Sequence, residues 1–103
     1  MSFLSRIFGG GGSESLKSAI DQGAFLVDVR TPGEFAGGHV KGSVNIPLDR
    51  IASQIQSFRN KGTVVVFCQS GMRSAQAQSL LKSMGIADVI NGGSWSRVRE
   101  LVG

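Results

Sequence analysis

The apolar positions of this chain fall into short blocks that alternate between two periods. Leu16, Ala19 and Ile20 share one helical face behind Ser13, a good N-cap, and Gly23 stops that turn. Residues 24–27 form a short apolar run ending at Asp28, the pattern of a buried strand. Thr31-Pro32 opens a short helix with proline in its first turn, stopped by Gly37-Gly38. Residues 43–47 suggest another short strand. Asp49 is placed to cap a helix carrying Ile51, Ile55 and Phe58 on one face and ending near Asn60-Lys61-Gly62.

The strongest strand signal is Thr63-Val64-Val65-Val66-Phe67, five β-favouring residues with no polar alternation, as when both faces of a sheet are covered. Residues 74–84 predict a helix with Ala75, Ala77, Leu80, Leu81 and Met84 inward and Gly85 at its end. Residues 87–90 predict a last strand closed by Asn91-Gly92-Gly93, and 94–102 a terminal helix. Strands alternating with helices at this spacing imply an α/β fold with a mainly parallel sheet of four to five strands and helices on both faces.

The remaining bulk properties narrow the class. The 103 residues suffice for one compact domain. Gly9 to Gly12 reads as a flexible joint, so residues 1–12 are expected to be a tail and linker and residues 13–103 the domain. The tail carries Phe3, Leu4, Ile7 and Phe8 but is broken by Arg6. It lacks the apolar centre of a signal peptide, and no stretch reaches the ~20 apolar residues of a membrane span. The expectation is a cytoplasmic monomer.

Net charge is +4, which suits nucleic acid, a membrane surface or a small anion. The basic residues are scattered, there is no Tyr and only one Trp, so a nucleic-acid footprint is poorly supplied. A small anionic substrate fits a dispersed excess better. The single cysteine, Cys68, excludes an internal disulfide framework and a multi-cysteine metal site. Neither a metal nor a cofactor is expected.

Ligands of open parallel sheets bind beyond the carboxyl ends of the strands. There the sequence places Cys68-Gln69-Ser70-Gly71-Met72-Arg73 between the central strand and a helix expected to start at about Ser74. Loop amides followed by a helix N-terminus offer N–H donors and a positive dipole end, which hold an anion and lower a thiol pKa. A lone cysteine after a strand is ordinarily a small buried hydrophobe. The glycine that lets the backbone curl, the arginine and the following helix set Cys68 apart. Arg73 would stand as a cation at a helix N-terminus, an unfavourable place unless an anion answers it.

Cys68-Gln-Ser-Gly-Met-Arg-Ser74 resembles the active-site loop of rhodanese domains, Cys-x-x-Gly-x-Arg-Ser. The stretch from Asp28-Val-Arg through Glu34-Phe35 to Gly38-His39-Val-Lys-Gly42 is similar to the first signature of that family. Asn45-Ile46-Pro47-Leu48 continues it, and Asn91-Gly92-Gly93 with Trp95 resembles its closing element. The likeness covers about residues 14 to 100. Two departures stand out: Arg97 occupies the position where the family commonly has Trp, with Trp95 two residues early, and no strand is evident before the first helix.

The resemblance implies a rhodanese-like three-layer sandwich and a sulfurtransferase. The Cys68 thiolate would take sulfur from an anionic donor such as thiosulfate as a persulfide, then pass it to cyanide or a thiol. Gln69, Ser70, Gly71, Met72, Arg73 and Ser74 would bind the substrate. Asp28, Arg30, Glu34 and His39 are expected to be structural, with Arg30 and Glu34 supplying partners for buried charge. A cysteine-hydrolase pairing of His39 with Cys68 is the weaker alternative, because no third orienting group is visible. A phosphatase or arsenate reductase would need a longer loop: cysteine phosphatases place five residues between Cys and Arg, and here there are four. A non-catalytic or partner-specific sulfur-relay module is the remaining rival.

Overall fold

The computed structural model describes residues 13–103; the tail and glycine joint expected over 1–12 lie outside the described residues. In chain order the elements are α1 (Ser13–Asp21), β1 (Phe25–Asp28), α2 (Pro32–Ala36), β2 (Val44–Asn45), two 3₁₀ turns (Leu48–Arg50 and Ile55–Phe58), β3 (Val64–Cys68), α3 (Met72–Ser83), β4 (Val89–Ser94) and α4 (Trp95–Val102). The strands form one sheet in the order β2-β1-β3-β4, and every pair is parallel. The first described element is the helix α1, and the strand not evident before it in the sequence falls on residues outside the described ones.

β3 explains the layering. All five of its residues are buried, and side chains alternate between faces. Val64, Val66 and Cys68 enter one core with Ile51, Phe58, Ala77 and Leu81, under α3 and the 3₁₀ turns. Val65 and Phe67 enter the other with Leu16, Val40 and Val98, under α1 and α4. This is a three-layer α/β arrangement, and double coverage is why β3 reads as a continuous apolar run.

Several boundaries differ from the pattern-based reading. The helix expected after Asp49 is two 3₁₀ turns, although Ile51 and Phe58 are buried and Ile55 packs beside them in one core. Gln54 breaks the helix at φ −115°, ψ 27°, and Ser53 Oγ donates back to the Arg50 carbonyl, the local competition that makes serine a poor helix interior residue. In α3 the inward face is Ser74, Ala77 and Leu81; Ala75 is exposed. α3 also starts earlier, at Met72, because Gly71 makes the turn at φ +102°. Asn91-Gly92-Gly93 does not close β4 but lies inside it. Val66 pairs with Asn91 and Phe67 with Gly93, so Gly92 is the extra residue of a bulge. A Cβ at Gly92 would stand 2.9 Å from Val98 Cγ2 and 3.0 Å from Val65 Cγ1. Only glycine lets α4 approach the sheet this closely.

Candidate active site

Cys68 ends the central strand, and its residue is 1% exposed. The Gly71 amide donates to its Sγ at 3.0 Å, and the Ser74 hydroxyl lies 3.5 Å away. Gly71 carries no side-chain cap for α3, so the amides at the start of the helix are turned to the sulfur. Burial pushes the thiol pKa up. The Ser74 hydroxyl and the amides of Ser74, Gly71 and Ser70 together outweigh that, leaving it below its ordinary value. Ionisation of the thiol is therefore easier here than for an ordinary cysteine.

The structure brings most of the expected loop residues around the thiol. Ser70, Gly71 and Ser74 supply the polar contacts just described. Gln69 is turned outward, where its Oε1 accepts from Trp95 Nε1 at 3.2 Å. Met72 is 76% exposed at the edge of the loop. Trp95 itself settles which side chain covers this end of the fold: its ring packs on Gly38, and the Arg30 and Arg99 guanidinium groups stand 4.5 and 4.7 Å from its centre. Arg97, where the family commonly has Trp, packs its guanidinium over Gly93, which underlies Gly71.

Arg73 differs from expectation. It is not a cation awaiting an outside anion, because Glu34 on α2 answers it through two bonds of 2.7 and 3.0 Å. Glu34 is also the N3 residue of a capping box with Thr31. Arg73 and the Thr31 amide hold the Glu34 carboxyl at about 2, against an ordinary 4.5. Glu34 accordingly does not share in the charge network of Arg30. That guanidinium pairs bidentately with buried Asp28 and donates to the Gly38 carbonyl, fastening the end of α2 to β1. His39 is structural as expected: Nδ1 faces the Phe35 carbonyl at 2.9 Å and the ring stacks on Phe35.

One site residue was not foreseen. Asn91 accepts from Ser74 Oγ at 2.7 Å and from the Gly93 amide at 3.0 Å, and its Nδ2 donates to the Gly71 carbonyl at 3.3 Å. It ties the loop, α3 and β4 together beneath Cys68. In the sequence it reads only as a turn residue before two glycines. Its one legible signal is strand alternation, which sets it on the Val66 face if the strand is continued past Ile90.

Among the described residues no cluster of three or more His, Cys, Asp or Glu side chains is placed to hold a metal, and no helix is long and apolar enough to cross a membrane.

The family model of the rhodanese-like domain matches residues 13–99. The thiosulfate sulfurtransferase PspE of Escherichia coli K12 is 39% identical over 71 residues, which is 65% of this chain and 66% of PspE. The Bacillus subtilis protein YqhL is 38% identical over 68 residues, covering 66% of this chain and 54% of YqhL. The chain thus spans between about half and two thirds of the length of these curated relatives. The solved human single-domain sulfurtransferase TSTD1 matches with a TM-score of 0.69 at 31% identity, over 85% of this chain and 92% of that one.

Proposed function

This chain belongs to the rhodanese-like domain family, and from that premise we propose that it is a sulfurtransferase working through a persulfide on Cys68. The observation that carries the reading is the set of loop amides on Sγ, with the Gly71 amide donating at 3.0 Å and the Ser74 hydroxyl 3.5 Å away. Those donors favour the thiolate, which is the nucleophile.

The thiolate attacks the outer sulfur of thiosulfate. A new S–S bond forms at Sγ, the donor's S–S bond breaks, and sulfite leaves with that electron pair. Cyanide or a thiolate then attacks the outer sulfur of the persulfide and departs with it as thiocyanate or a new persulfide, returning Cys68 as thiolate. The amides of Ser70, Gly71 and Ser74 stabilise negative charge throughout. Arg73 meets an anionic donor from within its ion pair with Glu34, so the donor shares that cation with a carboxylate already present. Gln69 and Met72 form the lip across which donor and acceptor pass. No metal or cofactor has a part in this cycle, and the acceptor comes from another molecule because Cys68 is the sole cysteine.

The phosphatase reading is disfavoured by the four-residue loop between Cys68 and Arg73. The test is mass spectrometry after incubation with thiosulfate. The wild type gains one sulfur atom and Cys68→Ser gains none. Equal gain by both proteins, or no gain by the wild type, overturns the assignment.

A further inference from the structure

The hydrogen-bond directions beneath Cys68 can be worked out one by one. The Gly93 amide can only donate, so the Asn91 atom facing it at 3.0 Å is the carbonyl oxygen. The Gly71 carbonyl can only accept, so the atom facing it is the Asn91 amide nitrogen. Two backbone groups therefore fix the orientation of the amide, the feature that heavy-atom positions alone leave ambiguous. The Ser74 hydroxyl, 2.7 Å from that same carbonyl oxygen, must be the donor. A hydroxyl has one proton. With it given to Asn91, Ser74 Oγ presents only lone pairs to Cys68 Sγ at 3.5 Å and accepts from the S–H of the thiol. Ser74 is fully buried, so no bulk water stands in for either partner.

When Cys68 loses its proton to solvent, Ser74 must rotate to donate to the thiolate, and the bond to Asn91 is given up. We propose that Asn91 is a positioning residue that competes with the Cys68 sulfur for the single Ser74 proton, and so sets how readily Cys68 ionises and departs as a thiolate. The inference rests on the sulfur-transfer reading for its biological meaning, not for its chemistry. In that reading Ser74 points to Asn91 while Cys68 is a thiol, and turns to Sγ as the acceptor's attack releases the thiolate.

The charged groups near the site are Arg73 on α3 with Glu34 on α2, the Asp28–Arg30 pair at the end of β1, and Arg97 on α4 over Gly93. Asn91 is neutral, so replacing it with a neutral residue leaves all of them in place.

The experiment is the pH dependence of Cys68 alkylation by iodoacetamide, with no sulfur donor present, in wild type, Asn91→Leu, Asn91→Ala, Ser74→Ala and the double variant Ser74→Ala/Asn91→Leu. Leucine keeps the volume of Asn91 and alanine leaves a gap; a thermal melt identifies which is folded, and either decides. Removing Asn91 frees the Ser74 proton for the thiolate, so the midpoint falls by about 0.5–1 pH unit, the equivalent of one neutral hydrogen bond. Ser74→Ala raises the midpoint, and in that background Asn91→Leu produces no further fall. A residue that merely braces the loop gives the opposite sign, because a loosened loop loses amide contacts. A midpoint that rises or stays in the Asn91 variants, or that falls equally without Ser74, overturns the proposal. A protein that takes no sulfur from thiosulfate yet shows the downward shift retains the Asn91 role and loses the transfer reading.

Discussion

Replacing Arg73 with alanine separates the two groups that hold Glu34 ionised. In the wild type the carboxylate accepts from Arg73 at 2.7 and 3.0 Å and from the Thr31 amide at 3.0 Å, and its pKa stands at about 2 against 4.5. Arg73 is the larger cause and Thr31 the next. In Arg73→Ala the Glu34 midpoint should therefore climb toward 4.5 but stop short of it, because the capping box remains. Both side chains are about one third exposed, at 35% and 36%, so solvent screening limits the pair to about 1 kcal/mol despite its two-pronged geometry. A depressed carboxylate pKa stabilises the fold fully above its unfolded value and loses that contribution as pH falls toward the folded one. Here the window runs from 4.5 down to about 2. The stability gap between wild type and Arg73→Ala should be complete near neutral pH and shrink across that window. Carboxyl-detected NMR titration reads the Glu34 midpoint, and urea unfolding at several pH values reads the gap. A Glu34 midpoint still near 2 in Arg73→Ala would show that Thr31 alone sets it, and the account of the ion pair would be wrong.

Two further substitutions test the frame around the site. Gly92→Ala puts a methyl group 2.9 Å from Val98 Cγ2 and 3.0 Å from Val65 Cγ1, and such overpacking should cost about 1–3 kcal/mol in urea unfolding; wild-type stability would show that α4 can yield there. Thr31→Ala removes the hydroxyl that accepts from the Glu34 amide and should cost about 0.5–2 kcal/mol in a thermal melt, with Thr31→Ser recovering most of it. A loss equal in the alanine and serine variants would place the effect outside the cap.

The sheet and the candidate loop are legible because their signals are local. Five consecutive β-favouring residues without polar alternation read as a strand covered on both sides, and the loop from Cys68 to Arg73 is marked by residue type and spacing. What the sequence hid was long-range. Glu34 and Arg73 are 39 positions apart, and no pattern says that the cation at the start of α3 finds its anion on α2. Glu34 follows Arg30 closely in sequence, yet Asp28 sits two residues from Arg30 and takes both of its prongs. Asn91 was hidden by its glycines, since Asn-Gly-Gly is a turn signal unless a bulge keeps the strand going. The apolar face over 51–58 is legible in the sequence and its local conformation is not, because packing Ile51, Ile55 and Phe58 into one core requires only that they return to one side.

The seat of Trp95 has an optical consequence. The chain contains one tryptophan and no tyrosine, so its near-ultraviolet fluorescence comes from a single ring. That ring is hydrogen-bonded to Gln69, the neighbour of Cys68, and flanked by two guanidinium groups. A movement of the loop that draws Gln69 away alters the surroundings of the indole nitrogen, and an anion that attracts Arg99 alters the charge over the ring face. The fold thus carries an intrinsic light-emitting reporter beside the Cys68 loop, with no second indole or phenol to dilute the signal and no label to attach.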